Sequence, residues 1–368
     1  MPIGKTLPST RLNNGRTLLL EGPASVRLED GEATILGASL SNDWVVVRED
    51  RQVPIETPTE AGLEFRLGQG GKFKLVPEST VPTGWKEASQ IILQSPGTIV
   101  ILGDVDSGKS TLCTFLANNC NRQGVKVRVI DGDVGQADIG PPTTISAANI
   151  TRQIFSLQDL TPEISLFMGD TSPSSTMEKI WLGLVQLRKK FADNSDVLLV
   201  NTDGWVQGDD ALRYKAQLLE SLQPDLVLGI SSNGELDALL GVQNATALKL
   251  SRSTYARTRT KEERKKAREY GYKRFFQNSR RVELRLRDVK VRRFDSSYHQ
   301  LRLDVNENLR GVLAGLLDED ETLISIGRVE RLENGLLSLT SQTVESPRIV
   351  ELGAVVLSPS FEEVGFGP

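Results

Sequence analysis

Nine consecutive residues carry the clearest chemistry in this sequence. Gly103-Asp104-Val105-Asp106-Ser107-Gly108-Lys109-Ser110-Thr111 follows an apolar run, TIVIL (98–102), and leads into a helix-like stretch, LCTFLANN. This is G-x-x-x-x-G-K-S, the phosphate-cradling P-loop, in the strand–loop–helix setting that it requires. Glycines let the backbone N–H groups turn inward around a phosphate, and the helix N-terminus adds partial positive charge. Lys109 is expected to reach the β and γ phosphates of ATP, and the Ser110 hydroxyl to bind Mg²⁺.

A second cluster lies at the end of the next apolar run, VKVRVI (125–130), which stops at Asp131-Gly132-Asp133-Val134-Gly135-Gln136. Acids at the carboxyl end of a strand lie beside the phosphate loop in this type of sheet. Asp131 and Asp133 are two apart, so an extended segment can turn both toward one site. One would hold water on Mg²⁺ while the other takes a proton from an attacking hydroxyl. Asp-Gly is also a common turn dipeptide, and that reading coexists with the functional one.

The third cluster is basic. Residues 252–293 hold 17 Lys+Arg against 5 Asp+Glu, a local charge of +12, while the whole chain stands at −4. The remaining residues therefore carry −16, which argues against a general nucleic-acid coat and for one anion-gathering place. Thr260 with Glu263 three residues on forms a capping box, predicting a helix from Thr260. Arg264 and Arg268 then share a face, and Arg257 and Arg259 sit on the approach. A solvated, charge-paired helix is the plain alternative. The excess of arginine favours a lid that closes over a transferring phosphoryl group.

The elements that must position these groups fall into three parts. Residues 1–85 read as a β module, with RTLLLEG, ASVRL, EATILG and WVVV as short strands, closing in a Pro/Ser/Thr-rich linker from Pro77 to Trp85. Residues 86–282 alternate apolar strands (TIVIL, VKVRVI, VLLV and LVLGI) with helices such as Lys109–Asn121 and Met177–Phe191. That pattern is an α/β domain on a parallel sheet covered on both faces. Residues 283–368 return to short alternating runs and read as a second all-β module.

In this order the motifs resemble the polynucleotide 5′-hydroxyl kinases of RNA processing. That family includes the kinase-like subunit of the pre-mRNA cleavage complex, the pre-ribosomal RNA kinases and their archaeal relatives. The resemblance implies a P-loop kinase domain flanked by two β modules. It implies Asp133, in DGDVGQADIGPPT, as general base, which leaves Asp131 with Ser110 at the metal. It places FMGDTSPS (167–174), with Thr171 and Ser172, and also Gln136, near the acceptor strand. It makes Trp205, in NTDGWVQG (201–208), a surface for the acceptor nucleic acid, and Arg259, Arg264 and Arg268 the lid arginines. By spacing alone Trp205 is as consistent with core packing as with base stacking. Thr171 and Ser172 are small polar residues before Pro173, which more often form just a loop. The lid departs from the family in having Gly271-Tyr272 after Arg268-Glu269-Tyr270.

The implied activity is ATP- and Mg²⁺-dependent phosphorylation of RNA or DNA 5′-hydroxyl ends, with RNA-processing proteins as further partners. The alternatives are an ATP-binding scaffold without catalysis and a small-molecule nucleoside kinase. Composition narrows the field further. One His excludes most metal-dependent and Ser-His-Asp chemistry, and two Cys exclude a disulfide framework. No N-K-x-D guanine reader and no protein-kinase H-R-D or D-F-G set occurs. There is no run of about 18 apolar residues to span a membrane, and the N-terminus lacks a signal peptide's apolar centre. The expected location is cytoplasmic, or nuclear in a eukaryote.

Overall fold

The structure is a computed structural model that describes residues 10–49, 51–241, 245–294, 299–301, 308–342 and 346–366. The first nine residues, on which much of the signal-peptide reading rests, lie outside the described residues.

At the centre is a seven-stranded sheet. Its spatial order is Ile164–Phe167, Thr144–Asn149, Val127–Gly132, Val197–Thr202, Thr98–Gly103, Leu226–Ile230, Thr246–Leu250. The last five of these are parallel, and Thr98–Gly103 lies between two parallel neighbours, with Val100 opposite Val200 and Val227. The first two are antiparallel, an addition that the sequence pattern did not show. TISAAN (144–149) has small and polar residues in place of an apolar run, yet all but Asn149 are buried.

Alternation along Thr98–Gly103 explains the layers. Ile99 and Ile101 face one way, into a core shared with helices α1 (Thr83–Gln94) and α2 (Lys109–Arg122). Val100 and Leu102 face the other way, toward α3 (Met177–Phe191) and α4 (Asp209–Leu222). A short α5 (Asp237–Leu240) precedes the edge strand, and α6 (Lys261–Phe275) leads out of the domain. α6 starts behind the expected capping box: Thr260 accepts from the Glu263 N–H, and the Glu263 carboxylate accepts from the Thr260 N–H.

N-terminal to this domain, a four-stranded and a five-stranded sheet share a core built on Leu18, Leu20, Val26 and Phe65. The segment read as a linker is partly helical. α1 begins at Thr83, and Trp85 is buried with its indole N–H on the Ser251 carbonyl. C-terminal to the domain is an eight-stranded sheet. Among the described residues, no helix is long and apolar enough to cross a membrane.

The basic block is divided by the fold. Its first part forms the approach loop and α6. Its second part forms the opening strands of the C-terminal sheet, Arg280–Arg285 and Lys290–Phe294. Arg292 is buried there against Glu351 and Glu321. The +12 segment is therefore not one anion-binding place, because some of its charge is neutralised inside the C-terminal module.

Candidate active site

The phosphate loop leaves the sheet at Gly103 and enters α2 through Gly108. Gly108 has φ +105°, which L side chains rarely adopt, and a Cβ there would stand 3.4 Å from the Trp85 ring. A Cβ on Gly103 would collide with the Ser107 hydroxyl. Glycine is thus required at both ends by conformation and by space. Lys109 is only 5% exposed, and its ammonium donates to the Gly103 and Asp104 carbonyls, both at 3.0 Å. Burial pushes its pKa down, and the charge of Asp133 opposes that shift.

The loop borders a cavity of about 640 Å³. From the loop, Asp104, Asp106, Gly108, Lys109, Ser110 and Thr111 line it. Asp133, Gln136, Thr171, Ser172 and Trp205 line it from the neighbouring strand ends, and Arg259, Arg264 and Arg268 from the lid. Gly103, Ser107 and Asp131 lie outside this lining. Ser107 Oγ is buried with no hydrogen-bond partner among the described residues.

The two acids of the second motif have different places. Asp133 uses Oδ1 to accept the N–H groups of Gly135 (3.2 Å) and Gln136 (3.0 Å). Its Oδ2 has no donor among the described residues. Burial raises the Asp133 pKa, and the charge of Lys109 works against that rise. Gly135 lies against the Thr171 carbonyl, where a Cβ would be 2.9 Å away, so the Asp133–Gly135 turn and the Thr171–Ser172 segment are packed together. The carboxylate of Asp170 fixes that segment by accepting the N–H groups of Thr171 and Ser172.

Asp131, expected at the metal, lies outside the cavity lining. It is buried, and it accepts from Asn201 Nδ2 at 2.9 Å and from the N–H groups of Asp138 and Ile139 at 2.7 and 3.2 Å. Burial, with the neighbouring Asp138 charge, pushes its pKa up to about 7. Asp138 is the acid on the cavity side, seven residues on in the same motif. It pairs with Arg51 of the N-terminal module and accepts from Gln158 at 2.8 Å. Burial drives its pKa up, but Arg51, Gln158 and the Ser110 hydroxyl outweigh this and hold it below the usual value.

Two of the three arginines expected in the lid, Arg259 and Arg264, meet the phosphate loop. Asp106, at φ +57°, accepts from the Arg259 backbone and side chain at 2.9 and 2.8 Å and from Arg264 at 3.3 Å. Arg268 makes a two-pronged pair with Glu363 of the C-terminal module, at 2.6 and 2.7 Å. Gly271 is accounted for by packing, because a Cβ there would stand 2.9 Å from the Pro142 ring. Tyr272 is fully buried with Phe167 and Phe276.

Trp205 is half-buried at the cavity wall, stacked on Tyr214 with ring centroids 5.9 Å apart. It packs against the core beneath and also lines the cavity. Sequence reasoning missed Asp138, Arg51, Trp85, Asn201 and the groups beneath Trp205. Asp138 was visible as an acid within the motif. Lys215 was visible as a lysine on the apolar stripe of α4, with Ala211, Leu218 and Leu222.

Comparison with known proteins agrees with this geometry. Residues 103–278 match the family model described as mRNA cleavage and polyadenylation factor CLP1 P-loop. The polyribonucleotide 5′-hydroxyl-kinase of Pyrococcus horikoshii is 34% identical over 280 residues, covering 76% of this chain and 74% of that one. The Pyrococcus furiosus protein of the same name is 28% identical over 327 residues, covering 74% and 91%. Among solved structures, Clp1p in its complex with Pcf11p shares the fold, with a TM-score of 0.77 at 12% identity, covering 96% of this chain and 99% of that one. With a P-loop, the Asp133 carboxylate, the α6 arginines and a Trp-bearing loop around one cavity, and with these relatives aligned over most of its length, the chain belongs to the polyribonucleotide 5′-hydroxyl-kinase family.

Proposed function

We propose that the protein transfers the γ-phosphoryl group of ATP to the 5′-hydroxyl end of RNA, with DNA ends as a further acceptor. One observation carries this reading: the phosphate loop, Asp133, Arg259, Arg264, Arg268 and the half-buried Trp205 all line one cavity. The loop fits a nucleoside triphosphate, because Gly108 at φ +105° turns it into α2 with Lys109, Ser110 and Thr111 along the cavity. The donors fit Mg²⁺, which takes one or two carboxylates and completes its shell with phosphate and water. Ser110 and Asp138 would hold the metal from the cavity side, with Asp131 fixing the loop beneath. Bound together, ATP and Mg²⁺ supply the phosphoryl group and spread its charge.

Lys109 neutralises phosphate charge from within the loop. Asp133 Oδ2 accepts the proton of the attacking hydroxyl. Arg259 and Arg264, gathered at Asp106, and Arg268 at Glu363 supply positive charge around the transferring group. Trp205 offers a stacking face to any base, and Gln136, Thr171 and Ser172 offer polar contacts to the acceptor backbone. RNA-processing proteins are the further partners in this reading.

The test is transfer of labelled γ-phosphate to matched RNA and DNA oligonucleotides bearing 5′-hydroxyls. RNA should be labelled by the wild-type protein and not by Lys109→Ala. If wild type labels neither acceptor above the Lys109→Ala level, the reading fails.

A further inference from the structure

Beneath Trp205 lies a set of buried polar groups that the proposed chemistry does not use. Asp203 and Lys215 are both 0% exposed and form an ion pair at 2.7 Å. Lys215 also donates to the Asp203 carbonyl at 3.2 Å. Tyr214 donates its hydroxyl to Asp203 Oδ2 at 3.2 Å, while Asp203 Oδ1 accepts the Trp205 backbone N–H at 3.0 Å. The Lys215 ammonium also lies over the Tyr214 ring, 4.8 Å from its centroid. Tyr214 in turn carries the Trp205 indole at an interplanar angle of 28°.

A fully buried ion pair is weak evidence for stability, because desolvation offsets most of the attraction. An apolar pair would fill the same space. What the charged pair adds here is direction. One carboxylate holds the backbone of Trp205 with one oxygen and the ring beneath Trp205 with the other. The loop is also held from the side. Gln207 donates to Asp104 of the phosphate loop at 2.7 Å, and Gly204 lies so close to Val105 that a Cβ would stand 2.7 Å from its side chain.

We propose that Asp203, Tyr214 and Lys215 are positioning residues that set the height and tilt of the Trp205 indole, and thereby the strength with which the acceptor's terminal base stacks. The inference rests on the reading of Trp205 as the acceptor's stacking surface.

The test follows oligonucleotide binding and Trp205 emission together. Emission is taken as the difference between each protein and the same protein carrying Trp205→Phe, which removes the signals of Trp44, Trp85 and Trp181. Tyr214→Leu removes the ring and keeps an apolar filler. It should move Trp205 emission to longer wavelength and weaken 5′-hydroxyl oligonucleotide binding about tenfold, with the KM for ATP held within about twofold. Tyr214→Phe, which restores the ring, should recover most of the loss. If Tyr214→Leu does not fold, Asp203→Asn combined with Lys215→Met removes both charges together and decides the matter. It must shift Trp205 emission and weaken the oligonucleotide more than ATP.

A role confined to holding the fold together would lower the melting temperature and weaken both ligands equally, which overturns the proposal. Unchanged emission and oligonucleotide affinity in folded variants also overturn it. Trp205→Ala separates this inference from the function it rests on. If that variant binds oligonucleotide as wild type does, the stacking reading fails, while the emission of Trp205 in the other variants still reports whether these residues set the indole.

Discussion

The contrast between Asp131 and Asp133 shows what two residues of chain can change. Asp133 keeps one oxygen open to the cavity, whereas Asp131 is tied to main-chain N–H groups and Asn201. Asp133→Asn should therefore lower phosphoryl transfer by about 10²–10⁴-fold while ATP binding persists. Because burial raises the Asp133 pKa, the acid limb of kcat/KM should lie above the ordinary carboxylate value of about 4. As pH falls through that limb, the base is protonated and the rate is lost.

Asp131 should act on stability instead. Its folded pKa, about 7, lies above the unfolded value. Its contribution is then fully present below about pH 4 and is lost as pH rises through about 7. Melting curves should show wild type losing stability relative to Asp131→Asn between about pH 4 and pH 7, then running parallel. A constant gap across that range would remove this account of Asp131.

At the scale of elements, α6, the lid of the proposed function, is held at both ends. Its C-terminal half is anchored by Tyr272 in a core with Phe167 and Phe276, and by Gly271 against Pro142. Its N-terminal approach is held by Asp106. Truncating Tyr272→Ala should cost about 3–5 kcal/mol of stability, the range for deleting a buried aromatic ring, seen as a lower melting temperature. Asp106→Ala should spare the fold and loosen the approach. Charge-assisted hydrogen bonds contribute about 1.5–3 kcal/mol each, so trypsin should cleave at the approach about tenfold faster or more.

Local signals made much of this element legible. The Thr260–Glu263 box marked its start, and the arginine spacing marked its face. The ends of those arginines were not legible. Asp106 lies 153 residues before Arg259, and Glu363 lies 95 residues after Arg268. No local pattern encodes a pairing over that distance.

For the whole molecule, the three parts of the chain meet at the site. The N-terminal module contributes Arg51 to Asp138, across 87 residues, and the C-terminal module contributes Glu363 to Arg268. Salt dependence should separate charges that meet the acceptor from those paired within the protein. Acceptor affinity should fall as salt rises, with the slope reduced by about 0.7 for each single-strand phosphate contact removed. Replacing the exposed Lys261 and Lys266 of α6 should flatten the slope. Replacing Arg292, buried against Glu351 and Glu321, should leave it unchanged in protein that stays folded. Titration of oligonucleotide over a range of salt concentrations measures both.

By itself the sequence made the P-loop, the strand-end acids, the capped basic helix and the tryptophan loop legible, while the roles of Asp133 and Trp205 came from the family resemblance. Those motifs depend on spacing along a few neighbouring residues, where backbone geometry is dictated by glycine, strand alternation and capping. Only the tertiary structure decided which acid faces the cavity, which cations are neutralised within the protein, and how Trp205 is supported. Such outcomes depend on which side chains meet across the fold, and burial makes each meeting consequential, because a charge removed from water must find its partner there.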